Sequence, residues 1–188
     1  MPALPHYTPV FSVDKAAWTP MLTDPTSGSA TYGTKILLNG ITTVSFDPEV
    51  LYKEAFGDNA IQHVASKARK FMCKAGLDKF DLDFFAQILG GTVTDAGTTP
   101  AQTTTYDILN TSASKYGKFE AQVLGVEVPG PSGGGDLHFV FWKAKMMAFS
   151  AGASAENFSS PSFEFAVLAR VSDGKMASIV ENETAVSL

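Results

Sequence analysis

The sequence predicts a mainly β (α+β) domain, an antiparallel sheet accompanied by one helix. Three observations carry this. After Tyr106 come four stretches rich in β-branched and aromatic residues, KFEAQVLGVEV, DLHFVFWKAKMMAF, PSFEFAVLARV and KMASIVENETAV. Asn39-Gly40 and Asp173-Gly174 are two-residue turn signals of the kind that join antiparallel strands. Only LDKFDLDFFAQILGG pairs a helical apolar stripe (Phe80, Phe84, Ile88, flanked by Leu77, Phe85 and Leu89) with early aspartates and a Gly90-Gly91 stop.

Length and composition set the outer bounds. A chain of 188 residues fits one domain with an arm or long loop. At that size folding buries about 70% of the unfolded surface, enough for a core without staples. Charged residues are 18% of the chain, below the about 25% usual for soluble domains. Such a shortage suggests surface hidden in an assembly. A net charge of −5 excludes a basic nucleic-acid grip. The single cysteine, Cys73, excludes an internal disulfide and fits a reducing compartment. MPALPHYTPVF lacks a basic n-region and a sustained apolar core, so no signal peptide is expected. No apolar run reaches the about 20 residues of a membrane span.

Residues 1–32 read as an N-terminal arm, broken by Pro2, Pro5, Pro9, Pro20 and Pro25 yet carrying Phe11 and Trp18. Residues 33–188 read as a single β domain. GTKILLNGITTVSF is expected as a hairpin pairing Leu38 with Ile41, Ile36 with Thr43 and Lys35 with Val44. DPEVLYKEAFGDNA follows as an extended or looping connection. Residues 61–76 fit a helix or a strand, and periodicity does not arbitrate. TVTDAGTTPAQTTT reads as a threonine-rich loop or edge segment. Asp173-Gly174 is expected to close a second hairpin, pairing Val171 with Met176, Ala169 with Ser178 and Val167 with Val180.

Leu137–Phe149 would run about 43 Å as one strand. Strict alternation puts Phe139, Phe141 and Phe149 on one face and Val140, Trp142 and Met146 on the other. Both faces would then be largely apolar, and the second needs a cover: the helix, the arm or a neighbouring subunit.

Catalytic motifs are weak. Gly130-Pro131-Ser132-Gly133-Gly134 spells G-x-S-x-G, but a nucleophile elbow needs a helix directly after the serine, and here a strand follows. A phosphate cradle would need a closing Gly-Lys-Ser/Thr and a helix N-terminus. The loop reads instead as a hairpin tip. His6, His63 and His138 lack metal-ligand spacing, and the S-x-x-K matches at Ser12 and Ser112 lack companion motifs. The basic run Lys67, Arg69, Lys70 and Lys74 reads as a solvated face or a subunit salt bridge. Asp78, Asp81 and Asp83 suit a helix start. No catalytic, cofactor or metal residue is assigned, and no enzyme activity is expected.

The order of motifs resembles the major tail (tail tube) proteins of long, non-contractile-tailed bacteriophages. TYGTKILLNGITTVSFDPEVLYKEAFGDNA is similar to their front half, ILGG (Ile88 to Gly91) to the stop of their helix, and FVFWKAKM with FEFAVLARVSDGKMASIVE to their rear half. The resemblance covers most of the chain from about Tyr32. It implies a tail-tube-like antiparallel β-sandwich or half-barrel with one flanking helix, and a strand over 61–76. It also implies hexameric rings stacked into a virion tube, assembled in the host bacterial cytoplasm and traversed by phage DNA without sequence recognition. Implied partners are the chain itself and tail terminator, tail tip and tape-measure proteins, with no cofactor and no membrane anchor.

On this reading the arm, the segment Asp47–Asn59 and the loop around Gly133–Gly135 are candidate contacts. Phe11, Trp18, Pro48, Tyr52, Phe56, Gly134 and Trp142 are the intersubunit or inter-ring candidates. Six copies at −5 each carry −30 per ring, and a lumen sharing that sign would let DNA slide. Glu127, Asp136, Glu164 and Glu181 are candidate lumen acids. Two rivals stand beside this reading. One is a tube protein of a contractile injection or secretion system. The other is a monomeric β-sandwich ligand-binding module presenting Trp18 or Trp142.

Overall fold

A computed structural model of the chain describes residues 10–57, 60–125, 135–151, 160–182 and 186–188, with backbone alone for 10–12, 48–57, 60–70 and Gly125. The elements are β1 (Val10–Thr23), β2 (Thr31–Tyr32), β3 (Ile36–Leu38), β4 (Ile41–Gly57), β5 (Ala60–Leu77), α1 (Leu82–Leu89), β6 (Thr92–Ala96), β7 (Thr103–Asp107), β8 (Tyr116–Gly125), β9 (Asp136–Ser150), β10 (Ser162–Val167) and β11 (Ala177–Asn182). The expected class holds: antiparallel sheet in a sandwich-like arrangement with one flanking helix. The main sheet runs β2-β1-β8-β9-β10-β5-β4, with β3 also on β1 and β11 also on β9; β6 and β7 form a separate ribbon.

The sheet is rolled. Trp18 on β1 stacks on Phe165 of β10 at 5.5 Å between ring centres. Three strand spacings separate these strands in the sheet order, about 14 Å if it were flat. Only a curled sheet brings the rings together. Its concave side holds the core, including Trp18, Cys73, Phe84, Phe119, Phe141, Phe163 and Phe165. The same curl explains the Asn39-Gly40 turn. Its strands do not pair with each other as expected: β3 lies on β1, through Leu38 opposite Ala16, while Ile41 of β4 lies opposite Leu77 of β5. The turn instead joins the two ends of the sheet. Gly40 supplies the positive φ of 81° and accepts the Asp78 N–H at 2.8 Å. A two-residue turn dictates a local reversal but not which strands flank it.

Two other expectations change, and a third holds. Residues 10–23 of the expected arm are β1, paired with β8 from Val10 opposite Gly125 to Pro20 opposite Gly117. Trp18 in the core anchors this strand, so the segment belongs to the fold and residues 33–188 are not its whole. The connection expected from Asp47 is mostly strand, because β4 runs on to Gly57. Residues 61–76 are strand, within β5, as the resemblance implied. Beyond Phe71, β5 pairs among the described residues only with β4, so about ten residues of each strand form a ribbon leaving the sheet.

The second expected hairpin is an interrupted strand. Both β10 and β11 lie antiparallel along the same edge of β9, on residues 144–150 and 136–141 respectively. The Asp173-Gly174 turn, with Gly174 at φ 71°, closes only the excursion between them, through the Arg170 N–H to the Lys175 carbonyl at 2.9 Å.

Bulges in β9 decide which face each side chain takes. Gly117 lies opposite Ala144 and Phe119 opposite Phe141, so β9 carries one extra residue there. A second shift falls between Ala148 and Met146 opposite β10. Phe141, Ala144 and Met146 therefore all enter the core, while Trp142, Lys143 and Lys145 share the outer face. Strict alternation fails at these points, and the expected second apolar face is largely replaced by an aromatic and cationic one.

The helix is shorter than its sequence stripe. Asp81 caps it, accepting the Phe84 N–H at 3.0 Å, and Phe84, Phe85 and Ile88 are buried. Phe80 precedes the helix and is half exposed. The threonine-rich segment is the β6–β7 ribbon, tied to the helix end by the Tyr106 hydroxyl donating to the Gly90 carbonyl at 2.7 Å.

Candidate assembly surfaces

The outer face of β8 and β9 is roofed by the chain's own loops. Asp24 accepts from Lys143 Nζ at 2.7 Å and from the N–H groups of Val171 and Ser172. It thereby joins the loop after β1 and the loop after β10 to the middle of β9. Burial pushes its carboxyl up, but these donors outweigh burial and hold it below the ordinary carboxylate range. Arg170 lies 4.4 Å from the centre of the Trp142 ring and forks onto Asp173. Lys118 reaches the same indole at 5.6 Å, and Trp142 Nε1 donates to Ser178 at 2.8 Å. Lys143 and Lys145 both reach the ring of Tyr116 at 5.1 Å. Such cation–aromatic contacts are each worth about 0.5–2 kcal/mol.

A second roof stands over the start of β9. Asp136 is fully buried. It accepts from Gln122 Nε2, His138 Nε2 at 2.9 Å, Asn182 Nδ2 at 2.7 Å and the Val186 N–H at 2.8 Å. Burial raises its pKa, and the donors, Asn182 and Val186 foremost, more than reverse that. The carboxylate ties β8, β9 and β11 to the segment 186–188. No group of three His, Cys, Asp or Glu among the described residues could hold a metal ion.

The candidate residues divide accordingly. Trp18 is 0% exposed, so its ring belongs to the core and meets no other subunit. Trp142 is half-buried beneath its own loop. Asp136 is an internal hub, so it cannot line a lumen. Glu164 is partly exposed and paired with Lys74 at 3.0 Å. Glu181 is half-buried on β11, opposite Leu137. Pro48, Tyr52 and Phe56 lie on the ribbon, opposite Phe71, Ser66 and Ile61, and Phe11 lies on β1; the side chains of all four lie outside the described residues. Glu127 and Gly134 lie outside them altogether. The Asp24–Lys143–Arg170 roof went unread in the sequence. Asp24 is 119 residues from Lys143 in the chain, and the three carry no shared motif.

Beside the roofs lies the strand β11. Among the described residues β11 pairs only with β9. Ile179 is 60% and Val180 42% exposed there. Between β11 and the departing ribbon lies an apolar cleft of about 210 Å³, lined by Phe46, Phe71, Phe139, Phe141, Ala177 and Ile179. The edge of a sheet is a template for pairing with another strand.

Comparison with protein-family models and with curated proteins yields no match. No helix among the described residues is long and apolar enough to cross a membrane.

Proposed function

We propose that this chain is a major tail protein of a long, non-contractile-tailed phage, a structural subunit that assembles into stacked rings forming the tube through which DNA passes. The observation that carries this is a long ribbon that runs past the sheet, beside an edge strand with exposed apolar residues. Among the described residues the far part of the β4–β5 ribbon pairs only with itself and β11 pairs only with β9, with Ile179 and Val180 exposed. Ribbons and edge strands of this kind pair with strands of neighbouring copies in closed assemblies. The motif order from Tyr32 onward supports the same reading.

The need for copies arises at the edges of the sheet. It does not arise from a bare second face, since the loops at Asp24 and Arg170 and the segment 186–188 roof much of the outer side. The rival reading of an aromatic ligand platform loses support, because Trp18 is in the core and Trp142 is capped by Arg170. The proposed role is structural and non-catalytic.

Replacing residues 50–68 by a two-residue turn tests the reading. The shortened chain keeps its fold by circular dichroism and loses ring and tube formation in electron micrographs. Tubes of unchanged abundance would remove the ribbon from the assembly.

A further inference from the structure

We propose that the aromatic face around the start of α1 receives the basic arm of the β4–β5 ribbon from a second copy of the chain, so that copies join head to tail. The contact rests on the assembly of copies argued above and names two surfaces that meet in it. The receiving face is apolar at its centre. Phe80 and Phe149 both pack on Phe85, at 5.9 and 4.8 Å between ring centres, and remain 49% and 40% exposed. Beside Phe80 opens a hollow of about 530 Å³ whose lining includes Lys79, Asp81, Asp83, Val93 and Asp95. Exposed apolar surface rimmed by polar groups marks an interaction site.

Charge names the occupant. Residues 78–95 hold Asp78, Asp81, Asp83 and Asp95 against Lys79 alone. Asp81 caps the helix, and Asp95 accepts from the Thr104 hydroxyl at 2.6 Å. Among the described residues neither these two nor Asp83 has an ion pair. An acidic rim of this kind fits a cationic partner. The β5 arm of the ribbon, residues 60–70, holds Lys67, Arg69 and Lys70 and no acid. Its β4 arm, residues 48–57, carries Glu49, Lys53 and Glu54, so the cationic character lies on β5.

The chain's own ribbon is not the occupant. Residues 71–76 of β5 pair with β4 on one side and with β10 on the other. That doubly paired stretch keeps Lys70 about 23 Å along the strand from Leu77, beyond which the helix begins. The basic arm and the acidic face therefore lie at opposite ends of it. A contact between opposite ends of identical chains is heterologous and passes from copy to copy without closing on a pair. Opposite charge also sets the direction of joining, because like ends repel.

Carbodiimide cross-linking of the unmodified protein tests the contact, since it joins a lysine amine to a carboxylate only where the two touch. Isotope-labelled and unlabelled chains are mixed, concentrated, treated and digested for mass spectrometry. Mixed-isotope peptides joining Lys67 or Lys70 to Asp81, Asp83 or Asp95 support the contact; their absence from assembled protein overturns it. Charge reversal is the second measurement. Asp83→Lys with Asp95→Lys, and Lys67→Glu with Lys70→Glu, should each shorten assemblies at least about fivefold in electron micrographs. All four changes in one chain should restore their length. Unshortened assemblies in either pair, or no recovery in the combination, would overturn the contact. Tubes without these cross-links remove the contact and leave the tube standing. Cross-linked head-to-tail chains without rings remove the tube and leave the contact standing.

Discussion

Gly117 lies so close beneath the indole of Trp18 that a Cβ on the glycine would sit 2.3 Å from Trp18 Cζ2. The two residues are on neighbouring strands, with Pro20 opposite Gly117 and Trp18 opposite Phe119. Trp18 also stacks on Phe165 across the rolled sheet, so it has nowhere to retreat. Gly117→Ala is therefore an overpacking change, expected to cost about 3 kcal/mol. Urea unfolding reads it as a lower midpoint with an unchanged slope. An unaltered midpoint would mean that the indole moves freely and that the rolled core is looser than described.

Asp24 makes stability pH-dependent. Its folded carboxyl is held below the ordinary value by Lys143 and the Val171 and Ser172 N–H groups, against the upward push of burial. The ionised form is therefore favoured in the folded chain. Its stabilisation is complete above the ordinary carboxylate pKa of about 3.9 and is lost as pH falls from there toward the lower folded value. Asp24→Asn should destabilise by about 2 kcal/mol at pH 7. The gap from the unsubstituted protein should narrow as pH falls below about 4. Unfolding curves at both ends of this range check it, and a gap constant with pH would remove the carboxylate from the roof.

Cys73 is fully buried between strands, and burial pushes its thiol up to about 12. The thiolate is the reactive form. A thiol reagent at pH 8 should leave the folded protein unlabelled and label one site per chain after denaturation. Rapid labelling of the native protein would show that the sheet around Phe165, opposite Cys73, opens.

Much of the sheet was legible because strands announce themselves locally. The four stretches after Tyr106 are β8 to β11, and the stripe ending at Gly90-Gly91 is the helix. What stayed hidden depends on distance or on single-residue irregularities. Asn39-Gly40 and Asp173-Gly174 are real turns, yet a turn sets only the local reversal. The rolling of the sheet sends β3 and β4 to opposite ends of it, and β9 takes β10 and β11 on one edge. The bulge opposite Lys118 re-aims Trp142 and Lys143 without any proline or glycine in β9 to mark it. Prolines made residues 1–32 read as an arm, although Trp18 and the alanines beside it already carried the signature of a buried strand. Among the site residues, Asp136 read as an available acid because burial by Gln122, Asn182 and Val186 is a tertiary property.

Negative-stain electron microscopy of the purified, unmodified protein over a wide range of concentrations tests the proposed function most directly. The account predicts rings of uniform diameter that stack into tubes as concentration rises. A strictly monomeric species at every concentration, with neither rings nor tubes, would contradict it.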